Sequence, residues 1–289
     1  MGKVQIVTDS SAHFYNPDVV DRYGIHVVPM TIRVGHQTFK EGVDLDADTF
    51  FRLTSHDGPA AQLIAPSVET YAELFSRLNQ ETDQVISLHM SRTMSESWGN
   101  ALKASKTLLG RCEIAVINSL TTSVGLAMIV EATAQMAETS ANLDDIVRMV
   151  RAMLGHVYTV FYVDKLDYLR HNGLLSEAQT ILGTMLDIKP FLTIEDGELI
   201  PMEKVRTQAQ ATDKLVEFVA EFAALEKLII LNNTPYPTER TRQLQDRLAA
   251  EFPGRHFPVM MYGPSLAAMI GAHGMGVVVH ENPDLEDDL

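Results

Sequence analysis

In the first half of the chain, short runs of β-branched residues alternate regularly with amphipathic stretches, and this feature constrains the fold most. Four runs have the pattern of strands, at residues 4–7, 25–34, 84–90 and 112–118. Stretches with apolar residues at helical spacing begin at typical cap residues, namely Ser67, Ser95 and Asn142. Alternating strands and helices favour a parallel sheet. The sequence therefore predicts the α/β class, with an α/β/α sandwich in the N-terminal part.

The pattern changes near residue 155. A strand-like run at 157–163 is followed by two further runs, 191–195 and 198–202, that predict a hairpin around Asp196-Gly197. Later helix and strand patterns lie at 208–223, 227–231, 237–251, 258–261 and 275–279. We therefore predict two domains, an α/β parallel-sheet domain over 1–155 and an α+β domain over 156–289 that ends in a frayed acidic tail.

Charge and cysteine content exclude several kinds of partner and site. Lys and Arg number 23 against 38 Asp and Glu, and the net charge of −15 repels polyanions, which argues against nucleic-acid binding. Cys112 is the only cysteine, so it forms no intrachain disulfide and no cysteine-based zinc site. The chain begins without the apolar core of a signal peptide, and no apolar run approaches the roughly 20 residues that span a bilayer. We expect a cytoplasmic protein without stable membrane anchoring.

The sequence lacks the motifs of the commonest catalytic and metal-binding protein classes. Asp44, Asp46 and Asp48 imitate the start of a calcium loop, but Thr49 and Ser55 occupy the positions that need Gly and Glu. We interpret this segment as a turn and helix cap, and we predict no metal site. The sequence also lacks a phosphate-binding P-loop, a dinucleotide-binding glycine motif, a nucleophile elbow and a His-Glu-x-x-His pair.

Hydroxyl-bearing residues cluster where two of the predicted strands end. The sequence Thr-Asp-Ser-Ser at 8–11 follows the first strand, and Ser-Arg-Thr-Met-Ser-Glu-Ser at 91–97 follows the third. Both segments belong at the carboxyl edge of a parallel sheet, where open α/β folds bind ligands. The helix beginning near Ser95 directs free N–H groups and the positive end of its dipole toward that edge, which suits a carboxylate or phosphate. The simpler alternative is that Ser95 only caps its own helix.

Short motifs in matching order over nearly the whole chain resemble the DegV family of bacterial fatty-acid-binding proteins. They are Thr-Asp-Ser-Ser at 8–11, Val28-Pro29-Met30, Pro66-Ser67, Ser-Glu-Ser-Trp at 95–98, Val-Ile-Asn-Ser at 116–119, Ile-Lys-Pro at 188–190, Asp196-Gly197, Lys-Val-Arg-Thr at 204–207 and Ile-Gly-Ala-His at 270–273. The resemblance implies that a long-chain fatty acid lies in a tunnel between the two domains. It also implies a non-catalytic carrier, with no cofactor besides the bound lipid, that presents the fatty-acid carboxylate to a separate fatty acid kinase.

The resemblance also implies a head-group site. The carboxylate is expected to meet the hydroxyl of Ser95 and the backbone amides of Glu96 and Ser97, with His273 at the pocket mouth. Leu63 stands where the family has a threonine that also holds the carboxylate, and leucine cannot donate a hydrogen bond.

Other positions are expected to surround the ligand or meet the partner. Ile64 and Met94 are predicted to line the pocket, and Arg206 to contact the kinase or a phosphate. Leu174 replaces a family arginine, which leaves kinase docking open.

The free energies of individual contacts indicate how much binding is lost by having leucine in place of threonine at position 63. Each buried methylene contributes about 0.8 kcal/mol, so a long acyl chain supplies at most on the order of 10 kcal/mol. One hydrogen bond to a charged group contributes about 1.5–3 kcal/mol. We therefore expect a weakened or reoriented head group and retained tail binding. Two alternatives stay open: an enzyme, either a hydrolase or a transferase, acting on small acyl or anionic substrates at the same cleft, and a divergent member that binds another amphiphile.

Overall fold

The computed structural model describes residues 3–54, 61–139, 141–163, 166–171, 173 and 189–282. Its strands are β1 (Gln5–Asp9), β2 (His26–Val28), β3 (Thr31–Val34), β4 (Gln37–Lys40), β5 (Ala61–Ile64), β6 (Gln84–His89), β7 (Glu113–Asn118), β8 (Val157–Val163), β9 (Lys189–Glu195), β10 (Glu198–Val205), β11 (Leu225–Asn232), β12 (Val259–Met261) and β13 (Gly274–Glu281). Its helices are α1 (Asp18–Tyr23), α2 (Ala47–Thr54), α3 (Val68–Leu78), α4 (Ser97–Ser105), α5 (Ser123–Glu138), α6 (Leu143–Leu154), α7 (Asp167–His171), α8 (Gln208–Ala220), α9 (Glu239–Glu251) and α10 (Pro264–Ile270). Leu174 and the tail beyond residue 282 lie outside these ranges.

The N-terminal part contains the predicted parallel sheet, with strand order β2-β1-β6-β7. Successive side chains of a strand point to opposite faces, so Val7 packs with α3 and α4 whereas Ile6 joins the apolar cluster that contains α5. The predicted caps at Ser67 and Asn142 are confirmed, because each side chain accepts a backbone N–H of the first helical turn. The α/β sandwich is therefore confirmed.

The single strand predicted over 25–34 is wrong. β2 ends at Val28, and the chain then enters a separate three-stranded antiparallel sheet of order β4-β3-β5. Pro29 has no N–H to continue the parallel ladder, and the N–H of Met30 donates to Ser10 Oγ at 2.9 Å instead. The β3–β4 turn uses Gly35 at φ 59°, and the third strand, β5, carries Leu63.

The C-terminal part is built on a six-stranded mixed sheet of order β10-β9-β8-β13-β11-β12. The predicted hairpin is confirmed, with Asp196 and Gly197 at φ 50° and 83°, as a tight turn of this type requires. Helix α10 was not predicted, although Gly263-Pro264 is a typical helix start. This sheet begins at Val157, close to the predicted domain boundary at 155, which remains a prediction.

The two parts share one apolar core. Buried residues from both belong to a single cluster that includes Met30, Ile32, Met90, Phe161, Ile194 and Met269. The hairpin turn also joins the parts, because the Gly197 carbonyl accepts hydrogen bonds from Ser91 Oγ at 2.7 Å and from Thr93 Oγ1. The loop after β6, which leads to Ser95, therefore contacts both parts of the molecule.

None of the helices described is long and apolar enough to cross a bilayer. No group of three or more His, Cys, Asp or Glu side chains in the described part of the chain is placed to hold a metal ion.

Candidate functional site

Asp9 is the centre of a buried polar network at the carboxyl edge of the parallel sheet. It is the last residue of β1, and its side chain is completely buried. Its Oδ2 accepts hydrogen bonds from His89 Nδ1 at 3.0 Å and from Ser97 Oγ at 2.6 Å. Its Oδ1 accepts from the backbone N–H of Ser11 at 3.2 Å and from the Ser11 hydroxyl. One carboxylate thus joins the ends of β1 and β6 to the start of α4.

The network extends outward through two further hydroxyl groups. Because Ser97 donates to Asp9, Tyr71 donates its O–H to Ser97 Oγ at 2.6 Å. His89 Nδ1 faces the carboxylate, and its Nε2 is hydrogen-bonded to Ser87 Oγ at 2.7 Å. Ser87, His89 and Asp9 are hydrogen-bonded in the same succession as the serine, histidine and aspartate of a nucleophilic triad. However, Ser87 lies in β6, a central strand of the parallel sheet, and is 0% exposed. A substrate therefore does not reach it in this structure.

The surroundings of Asp9 keep its carboxylate ionised. Burial alone raises the pKa of this group, but the hydrogen bond and the electrostatic attraction of His89, together with the hydrogen bonds from Ser11 and Ser97, outweigh burial and hold the pKa below its ordinary value. A buried ionised carboxylate is stable only while its hydrogen-bond donors remain in place. The network therefore fixes where α4 begins.

Ser95, Glu96 and Ser97 stand at this helix start but in different environments. Ser97 is fully buried, Ser95 is half-buried and Glu96 is exposed. The cap position of α4 is Glu96, without a side-chain cap bond, and not Ser95 as predicted; Ser95, one residue earlier, accepts the N–H of Ser97 at 3.2 Å. The Ser95 oxygen thus accepts one bond, while its O–H has no hydrogen-bond acceptor among the described residues and remains available as a donor.

The predicted pocket residues border the shared apolar core. Leu63 and Met94 are partly buried and pack against the cluster that includes Met30 and Phe161. Ile64 is half-buried at the end of β5, where it pairs with Thr31. Their roles as pocket lining remain predictions.

His273 and Arg206 lie in the C-terminal part. His273 is exposed and contributes to a cavity of about 320 Å³ together with Asn233 and Arg240. The Asn233 side-chain amide donates to the Ala272 carbonyl at 2.7 Å and holds this loop. Arg206 is exposed in front of α8. Within the described ranges, no hydrogen bond joins His273 to Ser95.

A second cavity lies between the two parts. It has a volume of about 360 Å³, and its walls come from the loop after β1, from α5, from β11 and from the segment before β12. Its apolar lining includes Phe14, Val124, Met128, Leu228 and Phe257. Ser95 is not part of this lining, so this cavity is separate from the helix start described above.

Glu41 forms a second buried polar cluster, which the sequence did not reveal. Glu41 is the residue directly after β4, and it is only 5% exposed. Ser10 Oγ donates to its Oε2 at 2.6 Å, and the backbone N–H of Ser265 donates to its Oε1 at 2.8 Å. The Ser265 hydroxyl donates as well. Glu41 therefore joins the loop after β1 to α10 of the C-terminal part.

Burial raises the pKa of Glu41 to about 7, against the lowering effect of its serine donors and with a further increase from the charge of Asp9. Between about pH 4.5 and pH 7, the folded protein keeps a proton that the unfolded chain releases. The contribution of Glu41 to the unfolding free energy therefore falls as pH rises through this range. From pH 5 to pH 8, we expect wild type to lose about 2–3 kcal/mol relative to the Glu41→Gln variant.

Urea unfolding of both proteins at several pH values measures this difference. The comparison cancels the opposite contribution of His13, whose pKa is lowered by burial in both proteins. A difference between the two proteins that does not change with pH would contradict the prediction.

Comparisons with known proteins agree with this architecture. A model of the DegV family, described as uncharacterised, matches residues 3–282. A DegV domain-containing protein of Streptomyces coelicolor is 30% identical, over 96% of this chain and 98% of its own length. A fatty-acid-binding DegV family protein of Streptococcus agalactiae superposes with a TM-score of 0.88 at 22% identity, covering 98% of this chain and 100% of that one. A DegV family protein of Thermus thermophilus, described with fatty-acid binding, gives 0.84 at 23%, covering 97% and 100%. From the family match and the two-part fold together, this chain belongs to the DegV family.

Proposed function

We propose that this protein binds one long-chain fatty acid between its two domains, with the carboxylate at the start of α4. In this proposal the protein presents the carboxylate to a fatty acid kinase and catalyses no reaction itself. The observation that carries it is the position of Ser95. Its hydroxyl has an O–H available for donation, and the predicted pocket residues Leu63 and Met94 pack on the apolar cluster that runs through both parts.

The chemistry of the helix start suits an anionic head group. The positive end of the α4 dipole favours negative charge, and the Asp9 network keeps the helix start rigid. Glu96 adds a negative side chain nearby, but it is exposed and its charge is screened by water. Most of the affinity then comes from burial of the acyl chain, and the Ser95 hydroxyl sets its orientation.

Relatives of known structure support the choice of ligand. The Thermus thermophilus and Streptococcus agalactiae proteins are described as binding fatty acids, and a neighbour from Eubacterium ventriosum as binding stearic acid. For this chain we propose the same class of ligand. We propose that the exposed His273 lies at the pocket mouth beside the carboxylate, that the exposed Arg206 faces the kinase or a phosphate, and that the protein is cytoplasmic.

Native mass spectrometry of protein purified from a bacterial host tests the proposal. We expect an added mass of one long-chain fatty acid, released on denaturation. Protein that carries no lipid, binds no added oleate and hydrolyses short-chain esters would support the enzyme alternative.

Replacing Ser95 by alanine is expected to weaken oleate binding about tenfold, because one hydrogen bond to a charged carboxylate contributes about 1.5 kcal/mol or more. Displacement of a fluorescent fatty acid measures the affinity. Ser67→Ala is the matched control, since Ser67 caps α3 through the Thr70 N–H and is exposed to solvent. Equal oleate affinity in wild type and the Ser95 variant would remove Ser95 from the head-group site.

A further inference from the structure

Glu41 connects two segments that both lead to the proposed head-group site. On one side, Ser10 follows Asp9, and Asp9 holds Ser97 at the start of α4. On the other side, Ser265 is the second residue of α10. The carboxylate of Glu41 is the point at which these two segments are joined by hydrogen bonds.

The segment from Gly263 to His273 connects the contact between Glu41 and Ser265 to His273 over a short distance. All seven residues of α10 are buried, so the helix is held firmly and spans about 10 Å. At its end, the Gly271 carbonyl accepts from the Tyr262 hydroxyl at 3.0 Å, and Gly271 adopts φ 89°. His273 follows two residues later. A shift at Ser265 would therefore move the loop that carries His273.

The start of the segment is tightly packed against the N-terminal part. A side chain at Gly263 would lie 2.9 Å from His13 Nδ1 and 3.4 Å from Glu41 Oε1. The His13 ring is also bonded through Nε2 to the Met261 carbonyl at 2.9 Å. The hydrogen bonds of Glu41 and His13 therefore set the place where α10 begins, and the close packing around Gly263 leaves no room for a side chain there.

We infer that Glu41 is a positioning residue for the head-group site: by joining Ser10 to Ser265, it sets where His273 stands relative to Ser95. This inference rests on the proposed function, because it assigns a role within the fatty-acid site. Glu41 itself does not touch the lipid in this scheme. It acts through α10 and the loop that follows.

A double-mutant cycle on oleate affinity tests the route through His273. We expect Glu41→Ala to weaken oleate binding about tenfold in wild type, and less than about twofold when His273→Ala is already present. Leu248→Ala is the control for general destabilisation, because Leu248 is fully buried in a separate apolar cluster of the C-terminal part, together with Val160 and Leu215. Its effect should be the same with and without His273.

Two milder variants keep the test decisive if Glu41→Ala folds poorly. Glu41→Gln keeps an acceptor oxygen for the Ser265 N–H, so we expect its oleate affinity to stay within about threefold of wild type. Ser265→Ala removes one donor to Glu41 and should weaken binding in the same non-additive way with His273→Ala. Rescue by glutamine together with non-additivity supports positioning.

The outcomes separate the inference from the proposed function. If wild type binds oleate and the Glu41 and His273 effects multiply independently, the positioning role is overturned and the fatty-acid site stands. The same holds if His273→Ala leaves oleate affinity unchanged. If wild type binds no oleate, the proposed function fails, and the role of Glu41 in it fails too.

Discussion

Replacing Asp9 by alanine should lower the unfolding free energy by about 3–5 kcal/mol, the usual cost of removing one partner from a buried charged network. His89, Ser97 and Ser11 would each lose the oxygen that accepts their hydrogen bond. Because these three groups are buried, bulk water does not reach them to serve as a substitute acceptor. Because the start of α4 is tied to Asp9 through Ser97, oleate binding should weaken along with stability.

Chemical denaturation of the Asp9→Ala variant measures the loss, with Asp46→Ala as the matched control. Asp46 caps α2 by accepting the Thr49 N–H at 2.7 Å, but it is exposed, and its replacement should cost about 1 kcal/mol. Asp9→Asn keeps one acceptor oxygen, so its loss of unfolding free energy should lie between those of Asp9→Ala and Asp46→Ala. A loss at Asp9 no larger than at Asp46 would show that the network contributes little to stability.

Gly276→Ala is expected to destabilise the protein by about 3 kcal/mol, at the upper end of the cost of overpacking. Gly276 pairs with Phe161 in the centre of the six-stranded sheet. An added Cβ would lie 2.5 Å from the Phe161 Cβ and closer still to the backbone carbonyl oxygen of Val160. Since backbone atoms cannot rotate away, β8 and β13 would have to separate.

The shift in thermal midpoint, together with urea unfolding, measures the effect of Gly276→Ala. Gly155→Ala is the control, because no atom lies within 4 Å of its added Cβ and its φ is −78°. We expect that variant to stay within about 0.5 kcal/mol of wild type. Similar stability of the two variants would mean that the sheet tolerates a side chain at position 276.

Local patterns were sufficient to predict most elements of the fold. The parallel sheet and the hairpin at Asp196-Gly197 follow from strand periodicity and turn chemistry, which act over a few residues. The run at 25–34 failed because periodicity shows that residues are extended but not which sheet they join. Pro29 was the available signal, since it interrupts a ladder of backbone hydrogen bonds.

The polar clusters were harder to predict because their partners are distant in sequence. Asp9 lies 80 residues from His89 and 88 from Ser97, although its place after a buried strand pointed to the right edge of the sheet. Glu41 lies 224 residues from Ser265. It sits between Lys40 and Gly42 in a polar turn, a context that predicts solvent exposure.

The apolar core shared by both parts has a consequence for biosynthesis. A ribosome makes Met30, Ile32 and Met90 well before Phe161 and Ile194, which help cover them in the finished molecule. Until translation passes those later residues, the nascent first half has uncovered apolar surface, which favours aggregation. Complete packing of the first half therefore waits until these later residues have been synthesised.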